Sequence, residues 1–160
     1  MQTMNSKILL VDDEKDISDL IEEALLQDNF VNIRKAYTGT EAVQICREYQ
    51  PDVIVLDIML PDIDGIEVCK QIREFSICSI LFLSSKNDDI DKILGLSSGG
   101  DDYITKPFSP REIVYRIKAQ LRRQQYQSDK SKSLNDLLTV GSLTLDKESS
   151  RIYKQGQEIE

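Results

Sequence analysis

With 160 residues, 40% of them apolar, the chain can build one ordinary domain with a real core and part of a second. A net charge of −8 and a pI near 4.7 argue against wholesale nucleic-acid binding by this stretch, because such binding leaves a basic footprint. No apolar run is long enough to span a bilayer and Met1 to Lys7 lacks the apolar centre of a signal peptide, so a cytoplasmic protein with no membrane insertion is expected.

The elements alternate. Lys7 to Val11 reads as a buried strand, and Ile17, Leu20, Ile21, Ala24 and Leu25 then fall on one stripe of a helix. A weaker strand over residues 31–36 leads to Thr38-Gly-Thr-Glu41, a capping box that opens a helix ending before Pro51. The third strand is Asp52-Val-Ile-Val-Leu56, followed by a turn-rich segment to Gly65 and a helix carrying Ile66, Val68, Cys69 and Ile72. Ser79 to Leu83 is the fourth strand, ending at Ser84-Ser85, and a helix over about 88–98 stops at Gly99-Gly100. The fifth strand, Tyr103 to Thr105, meets Lys106-Pro107. Ser109-Pro110-Arg111-Glu112 then opens a last helix to about Gln124. Five βα units in succession predict an α/β fold, a five-stranded doubly wound parallel sheet with helices on both faces.

The first domain is therefore placed at residues 4–124. The polar run 125–136 reads as a linker. Residues 137–160 contain two short strand-like runs joined by a turn over Asp146 to Ser150, a short antiparallel β fragment of a second domain.

Cys46, Cys69 and Cys78 are an odd number without C-x-x-C spacing, which indicates neither a disulfide framework nor a zinc site. The chain has no histidine, so imidazole-based triads are excluded and carboxylates, hydroxyls and lysine remain for chemistry. Asp12 and Asp13 follow the first strand, Asp57 the third, Ser84 the fourth and Lys106 the fifth. In a parallel sheet these positions share one edge, where open α/β sheets place their sites. Each has an ordinary explanation alone: Asp12-Asp-Glu14 can cap a helix, Ser84-Ser85 can turn the chain and Lys106 can be a solvated charge. Their coincidence at one edge favours a site. Carboxylates about 4 Å apart repel by about 4 kcal/mol per pair at an effective dielectric near 20. A hard cation such as Mg²⁺ relieves this, with Asp57 placed as a phosphoryl acceptor and Lys106 as a counter-charge.

The motifs Ile8-Leu-Leu-Val-Asp-Asp-Glu14, Val55-Leu-Asp-Ile-Met-Leu-Pro-Asp-Ile-Asp-Gly65 and Gly99-Gly-Asp-Asp-Tyr-Ile-Thr-Lys-Pro-Phe-Ser-Pro-Arg-Glu112 resemble those of the receiver domain of bacterial two-component response regulators, a flavodoxin-like fold. The resemblance implies that Asp57 accepts phosphate from a sensor histidine kinase. It implies that Asp12, Asp13, Asp57 and the backbone carbonyl of Met59 hold Mg²⁺, that Ser84 and Tyr103 are the switch residues, and that Lys106 binds phosphate and forms a cis peptide with Pro107. The basic end of the last helix and residues 140–160 further resemble the winged-helix, OmpR/PhoB-type transcription regulators. By that likeness the tail opens a DNA-binding domain, promoter DNA is contacted only through its missing remainder, and phosphorylation drives a homodimer. The matching dimer positions are Lys92, Ile93, Leu96, Asp101, Asp102, Glu112, Val114 and Arg116. Ser97 stands where that family usually has an acidic residue, and Gly100 where it has alanine. A free-standing receiver acting as a phosphorelay intermediate or phosphate sink is the alternative. A haloacid-dehalogenase-type phosphatase fits worst, since Met59 occupies the place of its second aspartate; the chain is thus expected to act as a signalling switch rather than a turnover enzyme.

Overall fold

The computed structural model describes residues 5–84 and 97–140, with side chains to Tyr126. Five strands and four helices follow in the order β1 (Lys7–Val11), α1 (Lys15–Gln27), β2 (Asn32–Ala36), α2 (Gly39–Tyr49), β3 (Val53–Asp57), α3 (Gly65–Arg73), β4 (Ser79–Ser84), β5 (Asp102–Thr105) and α4 (Pro110–Val140). The sheet is wholly parallel, in the order β2-β1-β3-β4-β5. Chain direction across the sheet therefore reverses at β1, so the crevice beyond the carboxyl ends of β1 and β3 is the switch point where a doubly wound sheet binds its ligand.

Strand alternation sorts the core into two layers. Ile8, Leu10, Val53, Val55, Leu81 and Leu83 pack with α1 and the first turns of α4 on one face. Their neighbours Leu9, Val11, Ile54, Leu56, Ile80 and Phe82 pack with α2 and α3 on the other. Successive side chains of a strand point to opposite faces, and burial on both faces explains the unbroken apolar runs of β1, β3 and β4.

Local chemistry sets the helix starts. Thr38 accepts the Glu41 N–H at 3.1 Å, while the Glu41 carboxylate reaches back to the Tyr37 N–H at 2.8 Å, one residue beyond the reciprocal bond of an ideal capping box. Asp64 caps α3 by accepting the Glu67 N–H at 2.8 Å, and Ser109 caps α4 through the Glu112 N–H at 3.1 Å. Glu14 is the cap residue of α1 but supplies no side-chain bond.

The chain divides into two compact units, Met1–Leu121 and Arg122–Glu160. Helical backbone in the second runs to Val140, where the sequence suggests a linker over 125–136 and a strand from Leu137. The polar run has no glycine or proline to stop a helix, and glutamine, lysine and arginine all propagate one well. Residues 141–160 of the β fragment expected over 137–160, and residues 88–96 of the helix expected over about 88–98, lie outside the described residues.

Candidate functional site: a carboxylate pocket at the sheet edge

Asp57, the last residue of β3, and Asp12, the first residue after β1, are each 2% exposed. Lys106, just past β5, places its Nζ 2.7 Å from Asp57 Oδ2, 3.6 Å from Asp12 Oδ2 and 3.9 Å from Glu14 Oε1. The other Asp57 oxygen, Oδ1, accepts the Met59 N–H at 2.8 Å. The turn after β1 is closed by Asp12 Oδ1 accepting the Glu14 N–H at 2.9 Å. Ser84, at the end of β4, is 1% exposed, and its carbonyl accepts the Lys106 N–H at 2.6 Å, which ties the lysine's backbone to the serine's strand. Lys106–Pro107 is cis. Asp12, Asp13, Asp57, Ser84 and Lys106 thus meet at the carboxyl edge of the sheet, as their positions after the strands require. Tyr103 lies in β5, half-buried against the α2–α3 layer.

The pocket is electrostatically unfinished. Burial raises the Asp12 carboxyl to about 7, helped by the neighbouring charge of Asp57 and opposed by the Glu14 N–H and by Lys106. Burial pulls the Lys106 ammonium down, but its bond to Asp57 and the charges of Asp57, Asp12 and Glu14 outweigh this, and the group stays charged. One ammonium thus faces three acidic groups. Asp12 Oδ2 is buried without a hydrogen-bond partner, and oxygens of Asp12, Asp13 and Asp57 lie within 4.8 Å of one another. An all-oxygen donor set with an unsatisfied inward carboxylate fits a hard divalent cation.

The backbone around Asp57 is closely packed. A Cβ on Gly65 would come within 2.4 Å of the Asp57 carbonyl oxygen, and the Gly65 N–H donates to the Ile58 carbonyl at 2.8 Å, so α3 begins directly against the strand end. Asp62, in the connecting loop, accepts from the Gly39 N–H at 2.7 Å, the Thr40 N–H at 2.8 Å and the Thr40 hydroxyl at 2.6 Å. These bonds fasten the loop to the start of α2. Glu14 and Asp62 fall inside the quoted motifs, two residues after Asp12 and five after Asp57, but neither is singled out by the sequence as a site residue.

The positions proposed for dimer contacts are mostly engaged within the chain. Arg116 Nη1 bonds Asp102 at 2.8 and 3.0 Å, and its Nη2 bonds Glu112 at 3.3 Å. Asp101 Oδ2 accepts from Arg73 Nη2 at 2.9 Å and from the Ile80 N–H at 2.8 Å. Val114 is 5% exposed and packs in the α1–α4 layer, so it has no apolar surface left to give a second copy. The exposed apolar side chain next to it is Tyr115. Helix period explains the difference, since Ile113, Val114 and Ile117 share the sheet-facing stripe. Lys92, Ile93 and Leu96 lie outside the described residues.

A strand-edge pocket of this kind on a 2-1-3-4-5 sheet defines a receiver. Residues 8–118 match the response regulator receiver domain family, and the chain belongs to it. The receiver domain of Francisella response regulator 1452 is 36% identical, with 75% of this chain and 99% of that one aligned and a TM-score of 0.70. The BeF3-activated DrrB receiver domain is also 36% identical over 73% of this chain and 97% of that one, with a TM-score of 0.67. A longer form of DrrB, an OmpR/PhoB homolog from Thermotoga maritima, aligns at 36% identity and a TM-score of 0.68 over 74% of this chain but only 54% of its own. Receiver domains typically bind Mg²⁺ in an acidic pocket, and the Asp12, Asp13 and Asp57 cluster stands at that place. No helix among the described residues is long and apolar enough to cross a membrane.

Proposed function

We propose that this protein is a phosphorylation-controlled response regulator in which Asp57 takes a phosphoryl group from a sensor histidine kinase and the change switches dimerisation to control transcription. The observation that carries the reading is the 2.7 Å contact of Lys106 Nζ with Asp57 Oδ2 in a pocket that also buries an Asp12 oxygen without a hydrogen bond. Because the chain has no histidine, the donor imidazole must come from the partner. In the transfer, the phosphorus–nitrogen bond to that imidazole breaks as a carboxylate oxygen of Asp57 bonds phosphorus, and the imidazole leaves with the electron pair. The Met59 N–H, by holding Asp57 Oδ1, fixes the plane of the carboxylate for attack. Lys106 neutralises charge on the equatorial phosphoryl oxygens. Mg²⁺, held by Asp12, Asp13, Asp57 and the Met59 carbonyl, would supply the remaining positive charge. The Ser84 hydroxyl then hydrogen-bonds the acyl phosphate, Tyr103 follows it inward, and the output face responds. The protein modifies itself and loses the group slowly; it does not turn over a substrate.

Transcription control rests on the likeness to DrrB and on the tail's resemblance to a winged-helix opening, through which promoter DNA would be reached. A second reading, a receiver that relays or stores phosphate, draws on one observation: Asp101, Asp102 and Arg116 find partners within the chain. Ultracentrifugation with and without beryllofluoride and Mg²⁺ separates the two. A monomer-to-dimer shift that Arg116→Glu abolishes supports the transcription switch; a beryllofluoride-bound chain still monomeric at tens of micromolar supports the relay.

A further inference from the structure

The loop that carries the Met59 carbonyl is closed at its ends and tied at its crown. The Ile58 N–H donates to the Leu83 carbonyl at 3.0 Å and the Gly65 N–H to the Ile58 carbonyl at 2.8 Å, so Met59-Leu-Pro-Asp-Ile-Asp64 bulges out between two anchored residues. Two contacts fasten this bulge to the start of α2. One is apolar: the place a Cβ on Gly39 would take is filled by Ile63, whose Cγ1 would stand 2.5 Å from it. The other is polar and uses both carboxylate oxygens of Asp62. Oδ1 accepts the Gly39 N–H at 2.7 Å, while Oδ2 accepts the Thr40 N–H at 2.8 Å and the Thr40 hydroxyl at 2.6 Å. Helix α2 already has a cap of its own, since Thr38 accepts the Glu41 N–H at 3.1 Å. A cap ordinarily comes from the residue just before the helix; here two further first-turn N–H groups are taken by a carboxylate from the loop beside Asp57, whose charge also suits the positive helix end. A carboxylate gripped by three donors is fixed in direction as well as distance.

Resting on the cation role given to the Met59 carbonyl above, we propose that Asp62 is a positioning residue: by tying the crown of the β3–α3 loop to α2 it fixes that carbonyl, and so sets the affinity of the carboxylate pocket for Mg²⁺. Asp62 acts from outside the pocket. Its oxygens are engaged by α2 and are not among the clustered oxygens of Asp12, Asp13 and Asp57. Mg²⁺ demands near-octahedral geometry and tolerates little displacement of its ligands. Without Asp62 the bulge is held only at its two ends and by Ile63, and the carbonyl of Met59, the first residue of the bulge, gains freedom to swing. Removing a group that orients a ligand typically weakens metal binding by about 10–100-fold. Only one of the four groups is affected here, which places the expected loss at about tenfold.

The test is a Mg²⁺ titration of the full chain followed by amide NMR, without any phosphodonor and well below the melting temperature of every variant. Asp62→Ala should bind Mg²⁺ about tenfold more weakly than the parent chain. Asp62→Asn, which keeps an acceptor oxygen for the α2 N–H groups, should fall between the two. Thr38→Ala removes the helix's own cap and leaves the loop bonds in place; it should lower the melting temperature as Asp62→Ala does, yet bind Mg²⁺ like the parent. Equal Mg²⁺ affinity in Asp62→Ala and the parent would overturn the positioning role alone, and so would an equal loss in Thr38→Ala, which would trace the effect to the stability of α2. A parent chain that binds no Mg²⁺ would overturn the cation reading of the pocket together with it.

Discussion

Met59 bears directly on how long a phosphoryl group on Asp57 would survive. Its side chain is 56% exposed, two residues beyond Asp57, and a thioether cannot orient an attacking water as an acid or amide can. Met59→Asn should therefore speed dephosphorylation several-fold, read as the decay of the phosphorylated mass. An unchanged decay rate would place control of water access elsewhere. Asp62 works on the same loop from the other side. Its bonds to Thr40 and Gly39 hold its carboxyl below the usual range, so its contribution to stability is full above the ordinary carboxyl value of 3.8 and fades as acid protonates the folded form. Asp62→Ala should lower the melting temperature at neutral pH, and the difference from the parent chain should shrink as pH falls below that value. A pH-independent difference would mean that packing, not the carboxylate, holds the loop. The sequence makes Asp12, Asp13, Asp57 and Lys106 legible because each follows a strand, and strand ends converge. It does not single out Asp62 or Arg73, whose bonds to Thr40 and Gly99 span 22 and 26 residues, a separation no local pattern announces.

At the scale of elements, the junction of β3 with α3 is the least forgiving part of the fold. The Cβ of Gly65→Ala would meet backbone, at 2.4 Å from the Asp57 carbonyl oxygen and 2.8 Å from the Ile58 Cα, and neither can rotate away. Overpacking of this kind costs about 1–3 kcal/mol, and here the strain falls on the peptide of Asp57. Gly65→Ala should lower both thermal stability and the rate of phosphorylation by a small phosphodonor, measured by calorimetry and by mass. Loss of stability with an unaltered phosphorylation rate would show that the backbone shift is absorbed in α3. The five strands were readable from apolar runs bounded by turn residues, and two helix starts from their capping residues, Thr38 and Ser109. The end of α4 was not. Polar residues without glycine or proline look alike in a linker and in an exposed helix, because helix propensity differs little among them. Val114 shows the same limit in another form: membership of an apolar stripe places a residue on a face, and only the packed layers show that this face meets the sheet.

At the scale of the molecule, ion pairs hold β5 at both of its ends. Lys106, past the carboxyl end of that strand, joins it to the acidic pocket, while Asp101 and Asp102 at its start are held by Arg73 and Arg116. Everything in this account depends on Asp57 being the phosphoryl acceptor. Intact-mass measurement of the chain and of Asp57→Asn, each incubated with acetyl phosphate with and without Mg²⁺, tests that most directly. The account predicts the gain of one phosphate on the parent chain with Mg²⁺, none on Asp57→Asn, and little without the cation. A phosphate gain that survives Asp57→Asn, or that reaches completion without divalent metal, would contradict it.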